Sequence, residues 1–352
     1  MLNDVLILLV SLVVILFAAE LFTNGIEWMG RRLGLGEGAV GSVLAAVGTA
    51  LPETLIPIIA IVFATAEGSH EVGVGAILGA PFMLSTLAMF VTGVGIWAFR
   101  RRRATGTTVS VDTGVLAHDL RYFFVGYGLA VGAAFLPPEL GAGRLVIAVV
   151  LIALYVWYVK GHLEADAAEE AEELAPLRMH RVDRNAHRDD PSEPRLRVIA
   201  LQVLAAVGLI IVGAVFFIEA VNNVAHTLGV SEVLLALVIA PIATELPEKF
   251  NSIIWVRQNK DTLALGNITG AMVFQSMIPT VVGLVLAADT WVIEEGSYTA
   301  FASAAIALIA TAIIFIPARR RGGLEARHLM IGGVFYVGYL IFVVGLIGGA
   351  FG

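Results

Sequence analysis

Long apolar runs separated by short polar segments fill almost the whole of this sequence. An α-helix needs about 20 residues to cross the hydrocarbon core of a bilayer, and most of the runs reach that length. The pattern predicts ten membrane-spanning helices, at approximately residues 4–30, 38–64, 72–99, 115–136, 142–161, 198–226, 232–257, 264–288, 297–317 and 327–350. We therefore expect an all-α polytopic membrane protein.

One long polar segment, residues 162–196, separates the predicted spans into two groups of five. Its first part is acidic and its second part is basic. We predict a first five-helix half at residues 1–161, a cytoplasmic linker at 162–196 and a second five-helix half at 197–352. The charge pattern is typical of a solvated connector that includes a short amphipathic helix. A regulatory role is the alternative, and no motif in the segment supports it.

Composition agrees with this class of protein. Hydrophobic residues make up 58% of the chain and charged residues 14%, and the mean hydropathy is +0.88. Such a chain cannot present the polar surface of an ordinary soluble protein. The chain has no cysteine, which excludes disulfides, thiolate metal sites and cysteine nucleophiles. We expect a multi-pass protein of the cell membrane whose partners are the lipid bilayer and inorganic cations, with no nucleic acid.

The basic residues predict the orientation. If the N-terminus lies outside, about 20 of the 22 lysine and arginine residues fall at cytoplasmic ends of the spans or in the linker. Arg144 is the exception on an outer loop. This bias predicts that both chain termini lie outside the cell.

A segment near the start of the chain recurs in the second half. Nine of the 21 positions from Leu33 to Glu53 are identical to those from Leu228 to Glu248. The two copies lie in the second and seventh spans, which cross the membrane in opposite directions because four spans lie between them. The halves are thus predicted to be inverted-topology repeats, an arrangement that places the binding site at the interface between them.

Each copy of the repeat places a glutamate near the middle of the bilayer. A charged side chain at that depth costs about 2.5 to 3.5 kcal/mol on insertion scales, and such residues usually mark an ion path. Glu53 and Glu248 would repel each other at a two-fold axis unless a cation or a shared proton lay between them. The pair therefore predicts a cation site.

The neighbouring residues supply further oxygen atoms. Thr49 and Thr244 each precede a glutamate by four positions, so each hydroxyl shares a helix face with its carboxylate. Pro52 and Pro247 lack a backbone N–H and free carbonyl groups one turn earlier. Hard oxygen ligands suit Ca²⁺, Na⁺ or Mn²⁺.

These motifs resemble those of a known transporter family. Two segments look like the G-T-S-L-P-E core of the two repeats in the cation/calcium exchanger superfamily, whose best-known members are sodium/calcium exchangers: Gly48-Thr49-Ala50-Leu51-Pro52-Glu53 and Ala243-Thr244-Glu245-Leu246-Pro247-Glu248. The stretch from Gly266 to Phe274 is similar to the G-N-x-x-G-S-N-x-F motif that follows each core. The resemblance covers nearly the whole chain. It implies a ten-helix antiporter in which Glu53 and Glu248 bind Ca²⁺ at mid-membrane, with oxygen atoms from Thr49 and Thr244, and exchange it for Na⁺ or protons.

The chain departs from the family pattern at several positions. Ala50 and Glu245 stand where the family usually has serine, and Ala271 and Met272 replace a serine and an asparagine of the second companion motif. The first companion motif carries no polar side chain at the corresponding positions, and it reads Gly75-Ala76-Ile77-Leu78-Gly79-Ala80-Pro81-Phe82-Met83-Leu84. Oxygen atoms for flanking sodium sites are thus missing, and the stoichiometry of the family cannot be carried over.

Other polar residues of the second half extend the candidate site. Glu245 is either a third carboxylate ligand or the partner of Lys249 four positions later. A buried lysine there also makes proton coupling a rival to sodium coupling. Asn267 and Gln275 are plausible ligands or interhelical hydrogen-bond partners. The complete predicted cation-binding set is Glu53, Glu248, Thr49, Thr244, Glu245, Asn267 and Gln275.

Other classes of protein fit the sequence less well. No intramembrane protease arrangement and no phosphate-binding loop occurs in the chain, so we expect neither an enzyme nor a cofactor other than the transported cations. The prediction is an antiporter that exchanges a divalent cation, Ca²⁺, for Na⁺. The alternatives are a proton-coupled exporter of Ca²⁺ or Mn²⁺ and, less favoured, a cation channel. Met83, Met272 and Met277 could offer thioether ligands to a transition metal, although core packing is the commoner role.

Overall fold

The computed structural model describes residues 2–32, 51–62, 69–137, 140–165, 176–180, 194–229, 252–253, 255–294, 297–321 and 323–347. Most of these residues are helical. The principal helices are α1 (Leu2–Arg32), α2 (Leu51–Val62), α3 (Ser69–Met83), α4 (Met89–Phe99), α5 (Thr113–Gly132), α6 (Gly141–Ala165), α7 (Leu196–Leu228), α8 (Asp261–Leu286), α9 (Tyr298–Arg321) and α10 (Ala326–Ile347). A π-helical turn, Leu84–Ala88, joins α3 to α4, and a 3₁₀ turn, Ala133–Phe135, follows α5. Two short antiparallel strands, β1 (Thr108–Val109) and β2 (Leu324–Glu325), connect two loops.

The described helices confirm a helical, polytopic membrane protein. Seven stretches of these residues are long and apolar enough to cross a membrane: Leu2–Arg32, Val72–Phe99, Gly141–Gly161, Leu196–Leu228, Ala264–Leu286, Tyr298–Ile316 and Ala326–Leu346. Much of the predicted second span and most of the predicted seventh lie outside the described residues. The count of ten spans therefore stays a prediction.

Helices α1 and α7, the first of each half, pack along one another as a peripheral pair. Their axes approach closely at two glycines: a Cβ added to Gly25 would lie 2.8 Å from Val203 Cγ2, and one added to Gly213 would lie 2.8 Å from Ile15 Cγ1. Among the described helices, the pair contacts the rest of the protein mainly through α2. The pair and α2 share an apolar cluster, which also includes Val72 of α3.

Helices α3 and α8, which belong to the predicted third span of each half, are the most buried of the described spanning helices, and we call them the central helices. The apolar window of α3 and α4 is 83% buried and that of α8 is 72% buried, whereas that of α1 is only 28% buried. The span made by α3 and α4 packs against α9 and α10, while α8 packs against α5 and α6. Each central span therefore contacts the last two predicted spans of the other half. This reciprocal packing is expected of two halves related by a two-fold axis.

Loops that the charge bias predicts to lie on the same side of the membrane contact one another in the structure. Strands β1 and β2 join the α4–α5 loop to the α9–α10 loop, and both are predicted to lie on the cytoplasmic side. At the opposite end, the guanidinium group of Arg144 donates hydrogen bonds to the carbonyl oxygens of Ala288 and Leu136, at 2.7 and 3.1 Å. Loops predicted to share a face therefore contact one another. The assignment of one face to the cytoplasm stays a prediction.

Five residues of the linker, Pro176–His180, dock on the α1–α7 pair, and we call them the docked linker segment. The side chain of Leu177 is 1% exposed and packs in an apolar cluster with Trp28 and Ile199. The prediction of a solvated connector therefore does not hold for Leu177, whose side chain is buried, and two buried amides hold the backbone of the segment against the helices.

Side chains of α1 and α7 bind the backbone of the docked segment. Asn24 Oδ1 accepts a hydrogen bond from the Arg178 N–H at 3.0 Å, and Gln202 Oε1 accepts one from the Met179 N–H at 2.9 Å. Arg178 also forms an ion pair of 2.6 Å with Glu20. The segment therefore belongs structurally to the peripheral pair.

Candidate functional site

Helix α2, which carries Glu53, lies between the peripheral pair and the central helices. Ile56, Ile59 and Ala60 are almost fully buried in the cluster shared with α1 and α7. On another side α2 packs against α3 and α8, and an added Cβ at Gly73 of α3 would lie 3.1 Å from the carbonyl oxygen of Pro57. The backbone of Glu53 is thus at the junction of two helical bodies.

Several predicted ligands fall on parts of the chain that the structure does not describe. Thr49, Thr244, Glu245 and Glu248 lie outside the described residues, as does Lys249. The pairing of the two glutamates, and the choice between ligand and ion pair for Glu245, stay predictions.

Gln275, in the middle of α8, presents polar atoms that no group of the described structure satisfies. Its side chain is 1% exposed, and both Oε1 and Nε2 lack a hydrogen-bond partner. Pro279 follows four positions later within the helix, so the backbone carbonyl of Gln275 also loses its usual helical donor. An unsatisfied buried polar group costs about 1 to 3 kcal/mol. The side-chain Oε1 and the backbone carbonyl oxygen of Gln275 are therefore both suited to binding a cation.

Asn267 lies on the same helix and is half-buried. It precedes Gln275 by eight positions, which corresponds to about 12 Å along the helix axis at 1.5 Å per residue. Ligand oxygens lie about 2.3 to 2.6 Å from Ca²⁺, and both side chains tilt toward the same end of the helix. The two side chains are therefore too far apart along the helix to bind one cation together, and the buried, unpartnered amide favours Gln275 for the predicted central site.

Ser85, a buried hydroxyl group, is a polar residue that the sequence interpretation missed. It donates to the carbonyl oxygen of Phe82 at 3.1 Å, as Ser276 does to that of Val273 at 3.0 Å. The two serines are related by the same offset of 191 positions that relates the two companion motifs. Extending that alignment by a single position past Gln275 would have found Ser85.

The two companion helices are interrupted at equivalent positions by different means. The π-helical turn at Leu84–Ala88 corresponds through the same offset to the residues from Gln275 to Pro279. The π turn packs closely on α10, where a Cβ added to Gly332 would collide with the carbonyl oxygen of Thr86. Interruptions of the regular hydrogen-bond ladder expose backbone carbonyls and are common at functional sites.

The apolar replacements in the first companion motif line the core. Ala76, Ala80 and Leu84 are at most 5% exposed, and Leu84 is the counterpart of Gln275. On α8, Met277 packs against α5, where an added Cβ at Gly126 would lie 2.9 Å from its Cγ. This contact favours core packing over metal binding for Met277.

We expect replacement of Gln275 by leucine to lower cation transport by about tenfold or more, since a loss of 1.4 kcal/mol of binding is already tenfold. The folded protein should be no less stable than the wild type, because the change removes a buried amide that lacks a partner. Transport in proteoliposomes and the midpoint of thermal unfolding measure the two effects. Thr311→Val, which removes a buried hydroxyl group on α9, is the control and should transport normally. A Gln275→Leu protein that transports at the wild-type rate would exclude Gln275 from the site.

The fold defines a class: a helical, polytopic membrane protein in which a peripheral helix pair and α2 meet two central helices. The chain belongs to the sodium/calcium exchanger protein family, whose model matches residues 3–161 and 198–348. It is therefore an antiporter of the exchanger class.

Two relatives are similar to this chain over most of its length. The chain is 27% identical over 353 residues to CaxA of Alkalimonas amylolytica, which is described as a candidate antiporter. The match covers 97% of this chain and 99% of the relative. It is 23% identical over 273 residues to the membrane protein MJ0091 of Methanocaldococcus jannaschii, covering 75% of each chain.

Solved exchanger structures share the fold. The H⁺/Ca²⁺ exchanger CAX superposes with a TM-score of 0.69 at 16% identity, covering 99% of this chain and 85% of that one. The sodium-calcium exchanger NCX_Mj superposes with a TM-score of 0.58 at 17% identity, covering 97% and 98%. At these identities the likeness concerns the fold alone.

Proposed function

We propose that this protein is a secondary active antiporter that exports Ca²⁺ across the cell membrane in exchange for Na⁺. The observation that carries the proposal is the position of α2. This helix bears Glu53 and lies between the α1–α7 pair and the central helices α3 and α8. A site at the junction of two helical bodies can open to either side of the membrane when one body moves against the other.

In this mechanism a single divalent cation binds between the carboxylates of Glu53 and Glu248. Thr49 and Thr244 complete the oxygen cage, and Gln275 contributes an amide oxygen from α8. Opposing movement of the peripheral pair and the central helices then exposes the site to one side at a time. The inward gradient of the coupling ion drives export because the same carboxylates bind both cations in turn.

Proton coupling is the second candidate, and a specific observation favours it. The positions of the first companion motif that could supply side-chain oxygen to Na⁺ are occupied by Ala76, Ala80 and Leu84, and all three are buried apolar residues. A proton needs only a carboxylate, whereas Na⁺ needs several oxygen ligands. Under this alternative Glu245 and Lys249 would take part in coupling, and Mn²⁺ could replace Ca²⁺ as the exported cation.

Uptake of radiolabelled Ca²⁺ into proteoliposomes tests the proposal. Three conditions are compared: an outward Na⁺ gradient, an outward H⁺ gradient and no counter-ion gradient, with Mn²⁺ as a competitor in each. We expect uptake to be driven by the Na⁺ gradient. Uptake driven by H⁺ would replace sodium coupling by proton coupling. Equal uptake in all three conditions would identify a channel, and manganese flux without calcium flux would change the substrate.

A further inference from the structure

Two basic segments that are distant in sequence meet at one face of the protein. Arg100–Arg102 follow α4, whereas Arg257 and Lys260 flank the turn before α8. A buried ion pair between Arg103 and Asp261, which are 158 positions apart, brings the two segments together. Its two hydrogen bonds, Nη1 to Oδ1 and Nη2 to Oδ2, measure 2.7 and 2.6 Å.

Further contacts fix the two segments in place. Arg103 also donates to the carbonyl oxygen of Val256. The Ala104 N–H donates to Asn259 Oδ1 at 3.1 Å, and the Ser110 N–H donates to Asp261 Oδ2 at 2.8 Å. The loop from the first half and the turn from the second half therefore form one rigid surface.

Asp261 is already paired with Arg103, and the basic residues around this ion pair have no carboxylate partner among the described residues. Arg103 and Asp261 neutralise each other, and the other five basic side chains of the two segments form no ion pair within that part of the chain. All five are at least partly exposed. We call these five residues the basic patch: Arg100, Arg101, Arg102, Arg257 and Lys260.

Aromatic side chains place the basic patch at the level of the lipid headgroups. The guanidinium carbon of Arg100 lies 4.2 Å from the ring centroid of Trp97, and that of Arg257 lies 5.8 Å from the ring centroid of Phe99. Trp97, near the end of α4, is 51% exposed. Exposed tryptophans at the ends of spanning helices lie at the interface between membrane and water.

We propose that the basic patch is a binding site for the headgroup of an anionic phospholipid, which bridges the two halves at this face. Guanidinium groups bind phosphate oxygens bidentately. Basic pockets between spanning helices on the cytoplasmic side are suited to anionic headgroups. The exposed ring of Trp97 favours a lipid over a soluble phosphate compound, because the ring can contact the glycerol and upper acyl region while the arginines bind the phosphate.

Lipid retention measured by native mass spectrometry tests the proposal. The protein is purified from mixed micelles that contain equal amounts of phosphatidylglycerol and phosphatidylcholine. We expect wild-type protein to retain phosphatidylglycerol preferentially. The preference should fall by about tenfold or more in the Arg257→Gln/Lys260→Gln variant, because two of the five cationic groups that attract the anionic headgroup are lost. Unchanged retention in this variant would overturn the proposal.

The matched control removes the same charge elsewhere. Arg31→Gln/Arg32→Gln neutralises two arginines in the last turn of α1, where Arg31 also lies over a tryptophan, Trp28. This variant should retain phosphatidylglycerol like the wild type, and an equal loss would mean that overall charge, not the basic patch, governs retention. Size-exclusion chromatography and circular dichroism confirm that the variants fold.

A second measurement separates lipid from free phosphate. Thermal unfolding of the protein in neutral detergent is followed with phosphatidylglycerol or with inorganic phosphate. We expect phosphatidylglycerol to raise the midpoint and inorganic phosphate to leave it unchanged. Equal stabilisation by inorganic phosphate would overturn the lipid assignment. Both measurements are independent of transport, so a failure of this proposal is distinguishable from a failure of the proposed antiport.

Discussion

Replacement of either mid-membrane glutamate by glutamine, Glu53→Gln or Glu248→Gln, is expected to reduce divalent-cation transport to the level of protein-free vesicles. Glutamine keeps the shape of the side chain but removes the negative charge that balances the cation. Breaking a buried charge pair costs about 3 to 5 kcal/mol, and each 1.4 kcal/mol is a factor of about ten. The expected loss in transport therefore exceeds about a hundredfold.

The matched control for these variants is Glu219→Gln. Glu219 lies on α7 with an exposed side chain, so its replacement removes a carboxylate from a spanning helix without altering the proposed site. Initial rates of radiolabelled Ca²⁺ uptake, normalised to reconstituted protein, measure the effect. Full transport by Glu53→Gln or Glu248→Gln would disprove the proposed mechanism.

The second large effect is expected at the buried ion pair of Arg103 and Asp261. Both side chains are at most 1% exposed, so removal of one partner leaves a buried charge without compensation. We expect Arg103→Ala or Asp261→Ala to lower the free energy of unfolding by about 3 to 5 kcal/mol. Replacement of both residues together, as Arg103→Met/Asp261→Leu, should recover much of the loss because no unpaired charge remains.

Thermal unfolding of the purified variants in detergent measures this effect. The control is Arg327→Gln, which breaks the solvent-exposed pair between Arg327 and Glu325. Exposed pairs contribute about 0 to 1 kcal/mol, so this variant should unfold close to the wild-type temperature. If the single variants at Arg103 and Asp261 also unfolded there, the ion pair would have no role in holding the two loops together.

Hydrophobic runs predicted the described helices closely, because a spanning helix needs only a continuous apolar stretch. The run at residues 198–226, for example, corresponds to α7 at Leu196–Leu228. Packing between helices could not be predicted in the same way, since spans that are apolar on every face carry little information about their neighbours. The π turn at Leu84–Ala88 also has no local signal. It fits against Gly332 of α10, which is distant in sequence.

The candidate site was predictable only in part. The companion motif identified Gln275, but only the packing around it shows that its amide is buried without a partner. The partner of Glu20 could not be predicted: the structure pairs its carboxylate with Arg178 of the linker, at 2.6 Å. That contact joins residues 158 positions apart, and polar linker sequence alone gives no indication of where such a segment docks.

The docked linker segment also offers a way to observe the transport cycle directly. Pro176–His180 is held by α1 and α7, whereas the chain enters the linker from α6, which packs on the central helix α8. A spectroscopic label at His180 would therefore report on one helical body, and a label at Lys160 on the other. The chain contains no cysteine, so two introduced cysteines would accept probes without background labelling. The distance between the two labels would therefore report directly on movement of one helical body relative to the other.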